Sequence, residues 1–448
     1  MKLPKEFENR MEKMLGDEYP CFKESFVNGS PVSGIRLNTA KCKSVPDIFA
    51  SLKPVPWCSY GFYADKADIS GKHPYHFAGL FYFQEPSAMA VVSALNIKKG
   101  DYVLDLCAAP GGKATHAGAL LDGSGLLVAN EIIPKRAAVL AENTERFGLK
   151  NTVVTNETPD NLAEKFPEFF DKIIVDAPCS GEGMFRKEPQ ALECWSEQHT
   201  FSCALRQQNI IDSALKMLKS GGTLVYSTCT FAPCENEGIC DYILKKYPYM
   251  RLWKIDLQEL SPADGKLVNS SFDLSGAKRI YPHRHRGEGH FLALFKKDGN
   301  ASRKLFAAKK PDKKTADALK LFRDFEKTAL NISFDGDFKL FSENFYYLPV
   351  ALQLDGIKTV RAGLHLGTVK KDRFEPSHAL ALALKAEDFK NSVNFPCESD
   401  EIKKYLHGEA LSGNFDGHGA LLTDGYPLGW IKGSGGILKN KFPKNLRV

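Results

Sequence analysis

At 448 residues the chain is too long for one hydrophobic core and predicts roughly two to four domains. Ordinary hydrophobic (43%) and charged (25%) fractions exclude a disordered polymer, and no apolar run approaches the ~18 residues of a membrane span. A charged amino terminus without a signal core and eleven irregularly spaced cysteines argue against the secreted and disulfide-rich classes, the net charge of +6 is mild, and the expectation is a cytoplasmic monomer with reduced thiols.

In chain order, residues 1–74 hold short strand-like runs such as Gly34-Ile35-Arg36-Leu37-Asn38 between proline-rich turns, and predict a small α+β unit. Residues 75–298 alternate β-branched runs with amphipathic stretches, the pattern of an α/β, Rossmann-like doubly wound sheet. A buried strand is expected over 103–106. The small-residue loop Cys107-Ala108-Ala109-Pro110-Gly111-Gly112-Lys113 then opens a helix near Ala114. The next strand, 126–130, puts Glu131 at its carboxyl end, and a helix over 134–147 stops at Gly148. Strands follow at 152–155 and 172–176, then a helix over 206–218 ending at Gly221-Gly222, and a strand at 223–227. A helix near 235–246 and a hairpin of 279–281 with 290–295 complete the block. The basic, proline-punctuated stretch 299–314 reads as a linker. Residues 315–448 predict a mixed region with strands near 345–354, 360–368 and 419–422. Its end carries Lys432, Lys439, Lys441, Lys444 and Arg447 with no acid from Leu428 onward. Such an end suggests a polyanion partner, most simply nucleic acid; a solvated lysine tail is the alternative.

Ligands of doubly wound sheets sit at the carboxyl ends of the strands. There the 107–113 loop lets backbone approach a ligand closely at a helix amino end. Glu131 stands 20 residues beyond Gly111, where an acid can hold both ribose hydroxyls of an adenosine-type cofactor. The loop lacks the G-x-G-x-x-G of dinucleotide binders. It also fails the nucleoside-triphosphate pattern twice, with cysteine at 107 and alanine at 114. S-adenosylmethionine asks only for a tight small-residue turn and an acid, and fits best. A turn that merely packs a helix on a sheet is the alternative.

Two cysteines follow strand ends on the same side: Cys179 in Asp176-Ala-Pro-Cys179-Ser-Gly-Glu-Gly and Cys229 in Ser227-Thr-Cys229-Thr-Phe-Ala-Pro-Cys234-Glu-Asn-Glu237. An arbitrary cysteine is a small buried hydrophobe. These two face the cofactor's side, and without C-x-x-C or a matching histidine pair no metal is expected. His283, His285 and His290 read as ordinary polar loop residues. A thiolate beside a methyl donor can add to carbon 6 of a pyrimidine, which makes carbon 5 nucleophilic enough to take the methyl group. A second thiol and a carboxylate can move protons and hold the base edge.

The segments Gln84-Glu-Pro-Ser-Ala-Met89, DLCAAPGGKATH from Asp105, DAPCSGEGMFRK from Asp176, STCTFAPCENE from Ser227 and RIYPHRHRGEGHFLALF from Arg279 resemble the NSUN (Nop/Sun) family of RNA cytosine-5 methyltransferases. The likeness is greatest to its bacterial RsmF-type branch, and the end from Asp424 is similar to that branch's PUA-like RNA-binding region. The resemblance implies an RNA-binding N-terminal subdomain over 1–74, a methyltransferase core over 75–298 and a PUA-like region over 315–448. It implies Cys229 as nucleophile, Cys179 as the residue that assists product release and Asp176 as a contact of cytosine and cofactor. Cys107, Ala108, Ala109, Pro110, Gly111, Gly112, Lys113 and Glu131 would bind S-adenosylmethionine. The family's adenine-binding Asp has no counterpart in Thr155-Asn-Glu-Thr-Pro-Asp160, where Thr158 takes its place. A DNA cytosine-5 enzyme would resemble P-C-Q around its nucleophile, and an amino-group methyltransferase D-P-P-Y or N-P-P-Y; Asp176-Ala-Pro-Cys179-Ser departs from all three. The expected substrate is RNA, ribosomal before transfer RNA, and the non-enzymatic rival is an RNA-binding assembly factor.

Overall fold

Five hydrophobic runs pair in parallel: β1 (Tyr102–Asp105), β2 (Leu126–Asn130), β3 (Thr152–Thr155), β4 (Phe170–Asp176) and β5 (Leu218–Thr228). Their order across the sheet is 3-2-1-4-5, with β1 paired to β2 on one side and β4 on the other. Their central residues are apolar toward both faces because helices cover both. Alternate residues therefore feed two cores, Leu104, Val128, Val153 and Ile173 in one and Val103, Leu127, Val154 and Ile174 in the other. The structure, a computed structural model, describes residues 2–65, 68–303, 305–308 and 310–448. Among these no helix is long and apolar enough to cross a membrane.

Antiparallel strands β6 (Met250–Trp253), β7 (Ser261–Pro262), β8 (Lys278–Ile280) and β9 (His290–Lys297) extend the sheet beyond β5. The opposite edge is covered by β10 (Thr359–Ala362), which runs antiparallel to β3 with Ala362 opposite Val153. Two expectations change here. The single strand expected over 360–368 is two: Gly363, at φ 112°, turns the chain out of the core sheet into a separate four-stranded sheet through Leu364–Lys370. The helix expected over 206–218 runs from Glu197 to Met217, because the Ser196 hydroxyl caps its first turn by accepting from the His199 N–H. Gly221 and Gly222 lie inside β5 and do not stop that helix.

The N-terminal segment adds two helices, Lys5–Leu15 and Tyr19–Val27, and a four-stranded antiparallel sheet. The sheet's last strand, Phe81–Phe83, comes from beyond residue 74. The C-terminal end forms a five-stranded sheet that shares a core with the N-terminal one, Ile35, Phe49 and Phe81 packing with Leu421, Leu428 and Phe442. The basic linker is anchored: Arg303 pairs with Asp171 and lies 3.5 Å from the Tyr102 ring centroid. Its positions 304 and 309 lie outside the described residues, and its last two belong to the helix Lys313–Ala329.

Candidate active site

The strand order reverses between β1 and β4, which opens a crevice at their carboxyl ends. The 107–113 loop leaves β1 there, and Gly111 holds φ 119°, a conformation that favours glycine. Three side chains fix its backbone. Arg136 donates to the Ala109 carbonyl (2.8 Å) and Asn143 to that of Pro110 (2.8 Å). Arg36, fully buried in the N-terminal sheet, donates to the Gly112 carbonyl (2.6 Å), to Thr115 Oγ1 (2.8 Å) and to Gln84. Glu131, buried at the end of β2, accepts from the Ile133 N–H (2.9 Å) and lies 3.2 Å from Arg136.

Asp176 ends β4 and is the electrostatic centre of the crevice. Burial alone would raise its carboxyl pKa, but Lys113 at 2.6 Å and His290 hold it well below the usual carboxylate range. The Ser227 hydroxyl donates to its other oxygen at 2.7 Å. Burial would likewise strip the Lys113 proton, and the Asp176 charge overrides it, raising the ammonium. The pair is ionised and joins the 107–113 loop to the thiol loops. His290 is no ordinary loop residue: it opens β9, is buried, and places Nε2 3.7 Å from Asp176 Oδ1.

The two predicted cysteines meet. Cys179 Sγ lies 3.3 Å from Cys229 Sγ, close enough to share a proton. That contact, then burial, pushes the Cys179 thiol well up, so Cys179 stays protonated beside its partner. The loops carrying them are clamped by Glu235, a residue of the Cys234-Glu-Asn-Glu237 motif without an assigned role. Its carboxylate accepts from the Ser180 N–H (3.0 Å), the Ser180 hydroxyl and Gln207 Nε2 (2.8 Å), and burial pushes its pKa up to about 7. Gln207 in turn donates to the Pro178 carbonyl, and the Ser180 and Thr230 hydroxyls lie 2.8 Å apart.

Asp105, the last residue of β1, also escaped the sequence reading. It is fully buried and, beyond an approach by the Cys107 N–H, neither oxygen meets a donor among the described residues; burial pushes its pKa up to about 8. An orphan carboxylate beside a cofactor loop is a place for a ligand's ammonium group. The 155–160 segment is spent structurally: Thr158 caps a helix, and Glu157 accepts from the Lys358 N–H at 2.8 Å. Among the described residues one trio has metal-ligand chemistry, His73, Cys397 and Glu398. His73 Nδ1 accepts from the Tyr75 N–H, so a neutral ring carries its proton on Nε2 and has no lone pair there for an ion.

Comparison with known proteins covers the whole chain. Family models described as 16S rRNA methyltransferase RsmB/F, the N-terminal domain of 16S rRNA methyltransferase RsmF, the RsmF rRNA methyltransferase first C-terminal domain and the methyltransferase RsmF PUA domain match residues 92–296, 3–86, 324–384 and 392–448. The chain is 34% identical over 442 residues to ribosomal RNA small subunit methyltransferase F of Shewanella piezotolerans, covering 92% of this chain and 90% of the relative. It is 32% identical to the protein of that name from Vibrio cholerae, over 100% of this chain and 98% of the other. Among solved structures, a methyltransferase homolog from Pyrococcus horikoshii is 29% identical with a TM-score of 0.57, covering 66% of this chain and 95% of that one. NSun6 of the same organism, crystallised with SFG, shares the fold at 24% identity and a TM-score of 0.56, over 66% of this chain and 99% of its own.

Proposed function

The chain belongs to the RsmF family of 16S rRNA methyltransferases, and we propose that it transfers a methyl group from S-adenosylmethionine to carbon 5 of a cytosine in small-subunit ribosomal RNA, through a covalent adduct on Cys229. The observation that carries this reading is the 3.3 Å thiol pair at the ends of β4 and β5, beside the Lys113–Asp176 ion pair. Amino-group methylation has no use for two touching thiols.

The cofactor supplies an electrophilic methyl group. Its amino group fits the unpartnered Asp105 carboxylate, its ribose hydroxyls Glu131, and its tail the backbone of residues 107–113. Ionised Asp176 accepts a hydrogen bond from the exocyclic amine of cytosine, the donor that separates cytosine from uracil. Cys229 Sγ, as thiolate, bonds to carbon 6 and shifts electron density to carbon 5, which takes the methyl group. Loss of the carbon-5 proton to solvent water then re-forms the 5,6 double bond as the sulfur–carbon bond breaks, and the Cys229 thiolate returns, hydrogen-bonded by the Cys179 thiol. Cys179, protonated and in contact with Cys229, assists this release.

The test has two arms. Purified Cys229→Ala should bind S-adenosylmethionine normally and transfer no methyl group; measurable turnover overturns the nucleophile assignment. Mapping 5-methylcytosine in 16S ribosomal RNA from cells with and without the protein should show one cytosine that depends on it. An unchanged map, with a dependent site appearing in transfer RNA, overturns the substrate.

A further inference from the structure

A cavity of about 370 Å³ lies beside the crevice, lined by Gly34, Ile69, Ser70, Phe83, Gln84, Lys187 and their neighbours. Its size is at the lower end of the range for ligand pockets, roughly 300–1,000 Å³. Neither thiol lines it, nor do Asp176 or Lys113, so it is separate from the place where a base reacts. Its walls nonetheless belong to the reaction centre's own supports. Gln84 gives its carbonyl oxygen to Arg36, which holds the cofactor loop, and a Cβ placed on Gly112 would lie 3.1 Å from Gln84 Nε2. Lys187, also in the lining, closes the loop that begins at Cys179; its Nζ donates to the Val32 carbonyl at 2.5 Å and lies 3.9 Å from Glu288 Oε1.

The chemistry of the lining is that of a nucleotide site. Phe83 ends a strand of the N-terminal sheet, its ring 5.3 Å from that of Phe81 and 5.6 Å from that of His76, and leaves 37% of its surface exposed to the cavity and solvent. Ile69 gives a buried apolar surface beside it. Gln84 Nε2 meets no acceptor among the described residues and can donate to a base edge. Lys187 is the cation of the lining. Its one acid, Glu85, is turned inward, its two oxygens taken by the Ala88 and Glu288 N–H groups. An aromatic face, a free amide and a single cation, with the acid's oxygens turned to backbone N–H groups, suit one unstacked base and its phosphate.

We infer that this cavity binds an unpaired nucleotide flanking the target cytosine, its base stacked on Phe83 and its phosphate facing Lys187. The inference rests on the proposed RNA substrate and adds to it: the enzyme would hold two nucleotides out of their stack, one to react and one to set the register.

Binding and methylation of a short RNA centred on the mapped cytosine test this with Phe83→Ala, Phe83→Leu and Phe83→Tyr. Stacking on an aromatic is worth roughly 5- to 100-fold in affinity. Phe83→Ala and Phe83→Leu should lose that factor in Kd and KM with kcat at saturating RNA unchanged, while Phe83→Tyr keeps wild-type values. An abasic residue at one flanking position should weaken wild-type binding by a similar factor and Phe83→Ala no further. Unchanged RNA affinity in Phe83→Ala, or abasic losses that add in full at every position, overturns the inference while Cys229-dependent methylation stands. A wild-type protein that does not methylate the RNA sinks the function itself, whatever Phe83 does. Equal thermal midpoints of the variants exclude misfolding as the cause.

Discussion

Arg10 and Glu182, 172 residues apart in sequence, form an ion pair in the wall of the active site. Glu182 is fully buried and also accepts from Trp195 Nε1 (2.8 Å) and from the Phe231 N–H (3.1 Å), two residues past Cys229. Around it the N-terminal helices bury Phe7, Phe22 and Phe26 against Phe185, Trp195 and Phe231, on the loops that bear the thiols. The first 27 residues thus build one wall of the candidate site. Arg10→Met strands a buried carboxylate and should cost about 3 kcal/mol of stability. Arg10→Met combined with Glu182→Gln should recover part of that loss. Urea midpoints of the two single variants and the double measure it; strictly additive losses would mean the pair is not coupled.

The thiols separate by step. On the proposed mechanism, removing Cys179 should leave adduct formation on Cys229 possible and slow the release. Cys179→Ala should therefore accumulate a protein–RNA band on denaturing electrophoresis, and Cys179→Ala with Cys229→Ala should not. A band from Cys229→Ala alone would reverse the roles.

Glu235 predicts a pH signature. Burial raises its pKa from an ordinary 4.5 to about 7, so folding favours its protonated form. The stability it contributes is full below the unfolded value and is lost as pH rises through the folded one. Between about pH 5 and 8 the wild-type chain should lose up to about 3 kcal/mol relative to Glu235→Gln. Paired urea titrations across that range check it, and a pH-independent gap would show that the carboxyl does not titrate there.

The basic end predicts a salt effect. Lys439 lies in the strand Ile437–Asn440 of the last sheet, with Lys441 and Lys444 just beyond. Replacing the three with alanine should weaken RNA binding across sequences and flatten the dependence of log Kd on log salt by roughly two units, at about 0.7 per phosphate contact. Parallel lines would identify these lysines as solvated and place RNA contact elsewhere.

Local pattern and motif carried most of this molecule into view. The buried runs of β1 to β5 were legible because parallel strands covered on both faces read as unbroken apolar segments. The 107–113 loop, Glu131, Asp176 and both thiols were legible because each follows such a run. Juxtapositions made across the chain were not. Nothing local marks His290 as a neighbour of Asp176, Arg36 as the brace of Gly112, or Glu235 as the clamp of Ser180, since each pairing depends on how separate segments dock. Asp105 was hidden differently: a carboxylate inside an apolar strand looks like part of the run, and only its lack of partners sets it apart.

The core sheet is completed late in synthesis. The edge of β3 stays unpaired until β10 arrives, about 60 residues after the last of the other core strands has left the ribosome. Arg361 of β10 is itself buried there, donating to Thr144 Oγ1 (3.0 Å) and the Leu149 carbonyl (2.9 Å). A chain stopped in the linker would hold every residue of the proposed active site and still present a bare strand of Thr152-Val-Val-Thr155 to its neighbours. Such a nascent or truncated chain is open to edge-to-edge aggregation. The C-terminal region therefore covers an edge that the core sheet by itself leaves bare, and a division of the chain at either end of its linker would expose it.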